Sequence, residues 1–110
     1  MSFEATNAII QEATRRIVEA AHPDRIILFG SAVRGEMGPD SDLDFLIVKA
    51  NVPHRRKLAQ EIYKNFFGLG TPVDIIVATP EDLELYKNEP GNIIAPAIAE
   101  GREVYAAPTA

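Results

Sequence analysis

The strongest constraint on the fold comes from residues 42–49, which read DLDFLIVK. The centre of this stretch, residues 45–48, holds four apolar residues in a row. Such a run is typical of a strand that is buried on both faces. A strand of this kind needs other elements packed above and below it. The stretch therefore predicts a strand inside a sheet that is covered on both sides.

The rest of the chain alternates between helical and strand patterns. Apolar residues at helical spacing predict helices over residues 5–21 and 53–67, and short apolar runs predict strands at residues 25–29 and 72–78. Thr79, followed by a proline and two acidic residues, is typical of a helix start. Strands separated by helices imply an α/β or α+β domain with one small central sheet. The remaining predicted elements are a helical turn at 31–35, a helix at 93–99 and an edge strand at 103–105.

Size and composition predict one globular domain. The chain has 110 residues, of which 46% are apolar and 25% charged, as in ordinary soluble domains. We expect a single domain over residues 1–110, with an ordered core at about 5–105. The absence of cysteine excludes disulfides, thiolate catalysis and zinc sites built on thiolates.

The charge balance narrows the possible partners. Formal net charge is −5, and the basic cluster at residues 55–57 is the one that could contact a phosphate backbone, so general nucleic-acid binding is not expected. No apolar run approaches the length of a membrane span. The start of the chain lacks the pattern of a signal peptide, so we expect a cytoplasmic protein.

Two aspartates one residue apart, Asp42 and Asp44, indicate a metal site. Side chains alternate along a strand, so both point to one face, with Cα atoms about 6.5 Å apart. Carboxylates held this close repel each other unless a cation lies between them. The plainer interpretation, a cap or a loop-to-strand hydrogen bond, suits Asp42. It suits Asp44 poorly, because an unpaired charge within an apolar strand is costly.

A third aspartate, Asp74, interrupts the apolar run VDIIVA. One interpretation is a solvent-facing position on an edge strand. The other is a third ligand, reached if the strand of Asp74 neighbours that of Asp44. Three carboxylates can hold two magnesium ions about 3.5–4 Å apart, the arrangement used for in-line phosphoryl displacement.

The Gly30-Ser31 pair lies where the first strand ends. Glycine lets the backbone approach an anion, a helix start offers unpaired amides, and a serine hydroxyl can donate to phosphate. The alternative is an ordinary strand-to-helix turn with a serine cap. Arg34 could bind a γ-phosphate or neutralise pyrophosphate, or it could be a surface arginine.

Two related motifs are excluded. A P-loop requires lysine and a hydroxyl residue where this chain has Glu36 and Met37. Alternate aspartates, beginning here at Asp40, also open an EF-hand calcium loop. That loop needs glycine and glutamate at positions that Phe45 and Asn51 occupy.

The combined motif resembles the polymerase-β-type nucleotidyltransferase superfamily: Gly-Ser at 30–31, Asp-x-Asp at 42–44, then a lone aspartate in an apolar strand. The turn GSAVRG and the closing EGREVY are similar to its minimal nucleotidyltransferase branch. The resemblance covers about residues 5–105. It implies the fold of that superfamily, with a small mixed sheet and helices packed on it.

The resemblance also implies roles for the motif residues. Residues 30–31 would hold the triphosphate of ATP. Asp42 and Asp44 would bind two magnesium ions. Asp74 would bind the catalytic ion and help to activate the attacking hydroxyl. No covalent intermediate on the enzyme is expected, since metal ions and positioning supply most of the catalysis.

Members of the minimal branch usually act with a helical partner of the HEPN type. The resemblance thus implies transfer of AMP from ATP to a tyrosine of that partner, with this chain as the antitoxin of a toxin–antitoxin pair. Two alternatives are a catalytically idle module that neutralises its partner by binding, and transfer to a small molecule such as an aminoglycoside. We expect no further domain to hold the base or the acceptor. The sequence does not decide whether the chain forms an oligomer, because four apolar residues near its end could lie in the core or in an interface: Ile93, Ile94, Ile98 and Tyr105.

Overall fold

The computed structural model describes residues 3–38 and 41–108. Every helix and strand predicted from the sequence is present, most with ends within two or three residues of the prediction. In chain order the elements are α1 (Phe3–Ala21), β1 (Arg25–Phe29), α2 (Ser31–Arg34), β2 (Leu43–Val48), α3 (Arg55–Lys64), β3 (Val73–Ala78), α4 (Pro80–Tyr86), α5 (Ile94–Glu100) and β4 (Arg102–Ala106).

The four strands form one mixed sheet in the order β3-β2-β1-β4. β1 pairs antiparallel with β2 and with β4, while β2 pairs parallel with β3. The apolar strand β2 therefore lies inside the sheet, and β3 and β4 form its edges. The α+β architecture and the mixed sheet are confirmed.

Helices cover both faces of β2, as its uninterrupted apolar run predicts. Phe45 and Ile47 point into a core shared with α1 and α3, whereas Leu46 and Val48 point into a second core shared with α4 and α5. All four side chains are buried. Burying a side chain of this size contributes about 1.5–3 kcal/mol. The helices supply to these cores the buried residues Ile10, Ala13, Ile17, Ile62, Leu83, Ile94 and Ala97.

The predicted start of α4 is confirmed as a capping box. The Thr79 hydroxyl accepts a hydrogen bond from the backbone N–H of Asp82 at 3.2 Å, and the Asp82 carboxylate accepts one from the N–H of Thr79 at 3.0 Å. Arg55, at the start of α3, also donates to Asp82. Burial raises the pKa of Asp82, but the hydrogen bonds from Thr79 and Arg55 lower that pKa overall.

Element ends differ from the prediction where the backbone turns. α3 is shorter than the predicted 53–67, because Asn65 caps it and Gly68 follows with a positive φ of 80°. β2 begins at Leu43, so Asp42 belongs to the preceding loop. Among the described helices, none combines the length and apolar character that crossing a bilayer requires.

Candidate active site

Three adjacent strands bring the predicted site residues to one end of the sheet. β1 finishes there, and the parallel strands β2 and β3 begin there. Asp44 lies directly opposite Phe29 of β1 on one side and Asp74 of β3 on the other. Neighbouring strands are about 4.8 Å apart, so the Asp44 and Asp74 side chains are immediate neighbours on the face that α4 and α5 cover further along. Asp40 lies outside the described residues.

Asp42 joins this pair from the loop before β2. Its carboxyl group lies close enough to that of Asp74 to share a hydrogen bond, and its charge acts on both other aspartates. Burial, then the charges of Asp74 and Asp42, raise the pKa of Asp44. Partial desolvation, then the hydrogen bond and charge of Asp42, raise the pKa of Asp74. The three carboxylates thus form one cluster of like charge.

The two interpretations of Asp74 prove compatible. β3 is an edge strand and Asp74 is exposed, as the solvent-facing interpretation predicts. The parallel register nevertheless sets it beside Asp44, as the alternative requires. Asp74 is therefore a member of the cluster that remains open to molecules outside the chain.

Gly30 has a role in this cluster that the sequence motif does not reveal. Its φ of 79° and ψ of −151° belong to a region that is essentially restricted to glycine. A Cβ atom at this position would also collide with the carboxylate of Asp44. Glycine is therefore required both for the turn and for the close approach of Asp44 to the backbone.

Ser31 opens α2, but it does not cap the helix. Gly30 occupies the N-cap position, without any side-chain cap bond, and its carbonyl accepts from the N–H groups of Val33 and Arg34. The Ser31 hydroxyl makes only a long contact of 3.7 Å with the sulfur of Met37. The serine-cap interpretation is thus wrong, and this hydroxyl has no strong hydrogen-bond partner among residues 3–38 and 41–108.

Arg34 ends α2 beside the cluster. Its Nε lies 3.2 Å from a carboxylate oxygen of Glu36, and its Nη1 lies 3.5 Å from one of Glu100, at the end of α5. The positive charge of Arg34 acts to lower the pKa of Asp44, against the larger effects that raise it. Arg34 is therefore coupled to the candidate site. The sequence indicated the arginine but not its two glutamate partners.

The carboxylate cluster has the chemistry of a magnesium site without its finished geometry. Carboxylate oxygens are the ligands that magnesium prefers. The three like charges repel each other, and a bound cation would neutralise them. Within the described ranges, however, no group of three or more histidine, aspartate or glutamate side chains is arranged so that it could hold a metal ion as it stands. The donor set fits the ion, and the side-chain arrangement would have to tighten around it.

A groove beside the basic cluster at residues 55–57 lies away from the carboxylates. It has a volume of about 330 Å³ and lies where β2 ends and α3 begins, at the opposite end of β2 from Asp44. None of the candidate site residues lines it. Cavity shape alone would therefore point away from the carboxylates. Its lining residues include Lys49, Val52, His54, Lys57 and Leu58.

Sequence comparison identifies the family. Residues 10–97 match the model of the nucleotidyltransferase domain. The chain is also 32% identical over 97 residues to a protein of Methanocaldococcus jannaschii that carries the name "Putative protein adenylyltransferase". That match covers 82% of this chain and 66% of the relative. The chain therefore belongs to the nucleotidyltransferase domain family, a family of enzymes.

Structural comparison supports the same fold. The chain resembles a chain from a crystal structure of a toxin-antitoxin with AMP-PNP, with a TM-score of 0.58 and 20% sequence identity. The match covers 88% of this chain and 73% of the other. At this level of identity the similarity concerns the fold, which is that of polymerase-β-type nucleotidyltransferases, as the sequence motif predicts.

Proposed function

We propose that this chain transfers AMP from ATP to a hydroxyl group, in a magnesium-dependent reaction. The observation that carries the proposal is the convergence of Asp42, Asp44 and Asp74 beside the glycine turn at Gly30. Three like charges in one cluster cost stability, and in a nucleotidyltransferase fold a bound cation and a nucleotide would offset that cost.

Residues of the glycine turn would bind the triphosphate. The first N–H groups of a helix have no partner within the helix, and α2 begins directly after Gly30. The Ser31 hydroxyl, which does not serve as a cap, can donate to a phosphate oxygen. Arg34 retains guanidinium N–H groups beyond those that contact Glu36 and Glu100. These N–H groups would bind oxygens of the β- or γ-phosphate of the nucleotide.

The carboxylates would hold the magnesium ions. Two ions held by Asp42, Asp44 and Asp74 would neutralise charge on the phosphates and on the leaving pyrophosphate. Asp74 would also accept the proton of the attacking hydroxyl. The hydroxyl oxygen forms a bond to the α-phosphorus, the bond from that phosphorus to the bridging oxygen breaks, and pyrophosphate leaves.

The exposure of Asp74 favours an acceptor that approaches from outside the chain. We therefore propose a tyrosine of a helical, HEPN-type partner as the acceptor, with this chain as the antitoxin. The name of the Methanocaldococcus relative supports a protein acceptor, and the toxin-antitoxin neighbour supports a protein partner. The family resemblance of the motif supports the HEPN type and the tyrosine.

Labelling tests this proposal directly. The chain is incubated with magnesium, ATP labelled at the α-phosphate, and a purified HEPN-type partner protein. We expect label on a tyrosine of the partner, and its loss with Asp42→Asn. Glu103→Gln is the matched control, since Glu103 is an exposed carboxylate in an ion pair with Arg25 at 2.6 Å, away from the site. Absence of transfer by the wild-type chain would contradict the proposal.

A second candidate, neutralisation by binding alone, has one observation in its favour. Among the described residues, no group of three or more histidine, aspartate or glutamate side chains is arranged to hold a metal ion as it stands. An idle module would keep such a cluster without using it. Growth rescue separates the two functions: an idle module neutralises its partner equally well with Asp42→Asn, whereas an enzyme loses neutralisation with this variant.

A further inference from the structure

We infer that Glu100, at the end of α5, is a positioning residue that holds Arg34 in place for the nucleotide. This inference rests on the proposed function, because it gives Arg34 a phosphate to bind. Glu100 contacts the Nη1 of Arg34 at 3.5 Å, and Glu36 contacts its Nε at 3.2 Å. The two carboxylates approach the guanidinium through different nitrogen atoms.

The two ion pairs, here called tethers, matter because the short helix that carries Arg34 does little to fix its side chain. α2 has four residues and no buried side chain, so the helix itself does little to fix the long side chain that ends it. Arginine loses much rotamer freedom when it binds a ligand. A guanidinium already held by carboxylates has lost part of that freedom before the nucleotide arrives.

Glu100 is the better anchored of the two tethers. α5 is fastened to the sheet by the buried residues Ile94 and Ala97. The residue after Glu100, Gly101, packs so closely that a Cβ atom there would collide with the carbonyl of Ala97 and the side chain of Ile27. The end of α5 is thus held against β1, and Glu100 is presented from a rigid element. Glu36, in contrast, lies in the loop that follows α2.

The geometry leaves Arg34 with capacity for a ligand. Nε and Nη1 contact the two glutamates, and Nη2 has no partner among the described residues. Gly30, which packs against the Asp44 carboxylate, directly precedes α2, so Arg34 ends a single-turn helix beside the carboxylate cluster. Glu100 thus acts on the nucleotide through Arg34 and does not itself contact the substrate.

The direction in which Glu100→Gln changes the affinity for ATP shows whether Glu100 acts by holding Arg34 or only through its negative charge. Glu100→Gln removes a negative charge near a site for a polyanion. If Glu100 acted only through its charge, this variant would bind ATP more tightly. If Glu100 holds Arg34, the variant binds ATP more weakly, by about 3- to 10-fold, because the lost tether outweighs the relieved repulsion.

A double-mutant cycle completes the test. Affinity for a non-hydrolysable ATP analogue with magnesium is measured by calorimetry for the wild-type chain, Glu100→Gln, Arg34→Ala and the double variant. We expect Glu100→Gln to weaken binding in the wild-type background and to have no effect in the Arg34→Ala background. In the transfer assay it should raise the KM for ATP and leave kcat within about twofold.

Controls distinguish the ways in which the inference can fail. Glu103→Gln, which breaks an ion pair away from the site, should leave the affinity unchanged, and Tm should be the same for both glutamine variants. Tighter binding by Glu100→Gln, unchanged binding, or additive effects in the cycle would each overturn the positioning role alone. Absence of any binding by the wild-type chain would overturn the proposed function together with this inference.

Discussion

Charged side chains at the two ends of the central sheet have opposite kinds of neighbour. Where β2 and β3 finish, Asp82 accepts hydrogen bonds from Thr79 and Arg55, and the pKa of Asp82 is lowered as a result. Near the same end, Arg25 contacts Glu103 at 2.6 Å. Charges here meet charges of opposite sign or backbone donors.

Where β2 and β3 begin, like charges meet. Asp44 has Asp42 and Asp74 as neighbours, and its pKa is raised by burial and by both of them. The nearby cation, Arg34, is itself shared with two glutamates. Folding alone would favour compensated charges at both ends. The contrast therefore teaches that the first end stabilises the fold, while the second carries a cost that a ligand can offset.

The largest expected effect is on catalysis. Asp44→Asn should reduce AMP transfer by about 10³-fold or more, since it removes a ligand of the magnesium ions that would neutralise charge on the reacting phosphates. The same variant should be as stable as the wild type or more stable, because it relieves repulsion. Transfer of α-label and urea unfolding measure the two effects. A stable, fully active Asp44→Asn chain would contradict a catalytic role for the carboxylate cluster.

The glycine turn gives the next largest effect. Gly30→Ala should cost about 2–3 kcal/mol of stability, because its backbone conformation is restricted to glycine and its Cβ would displace Asp44. Gly35→Ala is the control. Gly35 also has positive φ, at 73°, but a Cβ there meets nothing within 4 Å, so the cost should be about 1 kcal/mol. Equal costs in urea unfolding would show that Asp44 does not restrict this position.

Magnesium should stabilise one end of the sheet selectively. At ten times its dissociation constant, an ion that binds only the folded chain adds about 1.4 kcal/mol. We expect Tm to rise with magnesium in the wild-type chain and to stay constant in Asp44→Asn, with chelator reversing the rise. An identical rise in both proteins would place the ion outside the carboxylate cluster.

The smallest effect belongs to the compensated end. Asp82→Asn should cost about 1 kcal/mol at neutral pH, since it replaces the carboxylate that accepts from the Thr79 N–H and contacts Arg55 with a neutral amide, a weaker acceptor that carries no charge. The folded pKa of Asp82 lies below the unfolded value of about 3.9. Its contribution is therefore complete above about pH 5 and is lost as the pH falls through the folded pKa. Urea unfolding between pH 7 and pH 3 should show the difference in unfolding free energy between the variant and the wild type shrinking as the pH falls. A difference that stays constant would refute a stabilising role for the Asp82 charge.

Local pattern was enough to predict most of the fold and most of the cluster. The ends of β1 match the prediction, and β2 is buried on both faces, because uninterrupted apolar runs specify such strands. The Thr79 cap was also predicted, since its signal lies within four residues. Asp44 and Asp74 were identified because a charge within an apolar strand is costly.

What the sequence could not provide depends on contacts between distant residues. The register that sets Asp74 beside Asp44 follows from parallel pairing of β3 with β2, which no local pattern specifies. The contact between Glu100 and Arg34 requires α5 to pack against β1. The serine-cap interpretation, one of two left open for the Gly30-Ser31 pair, is wrong because Gly30 itself occupies the N-cap position, and the close approach of Asp44 that restricts this position to glycine is visible only in three dimensions.

The hydroxyl of Tyr63, on α3, accepts a hydrogen bond of 2.9 Å from the backbone N–H of Ile75. This N–H belongs to the edge strand β3 and points away from β2. A bare edge would invite another chain to anneal along it and lengthen the sheet. Because the Tyr63 hydroxyl already accepts from this N–H, the edge beside Asp74 has one fewer free backbone donor with which another chain could pair.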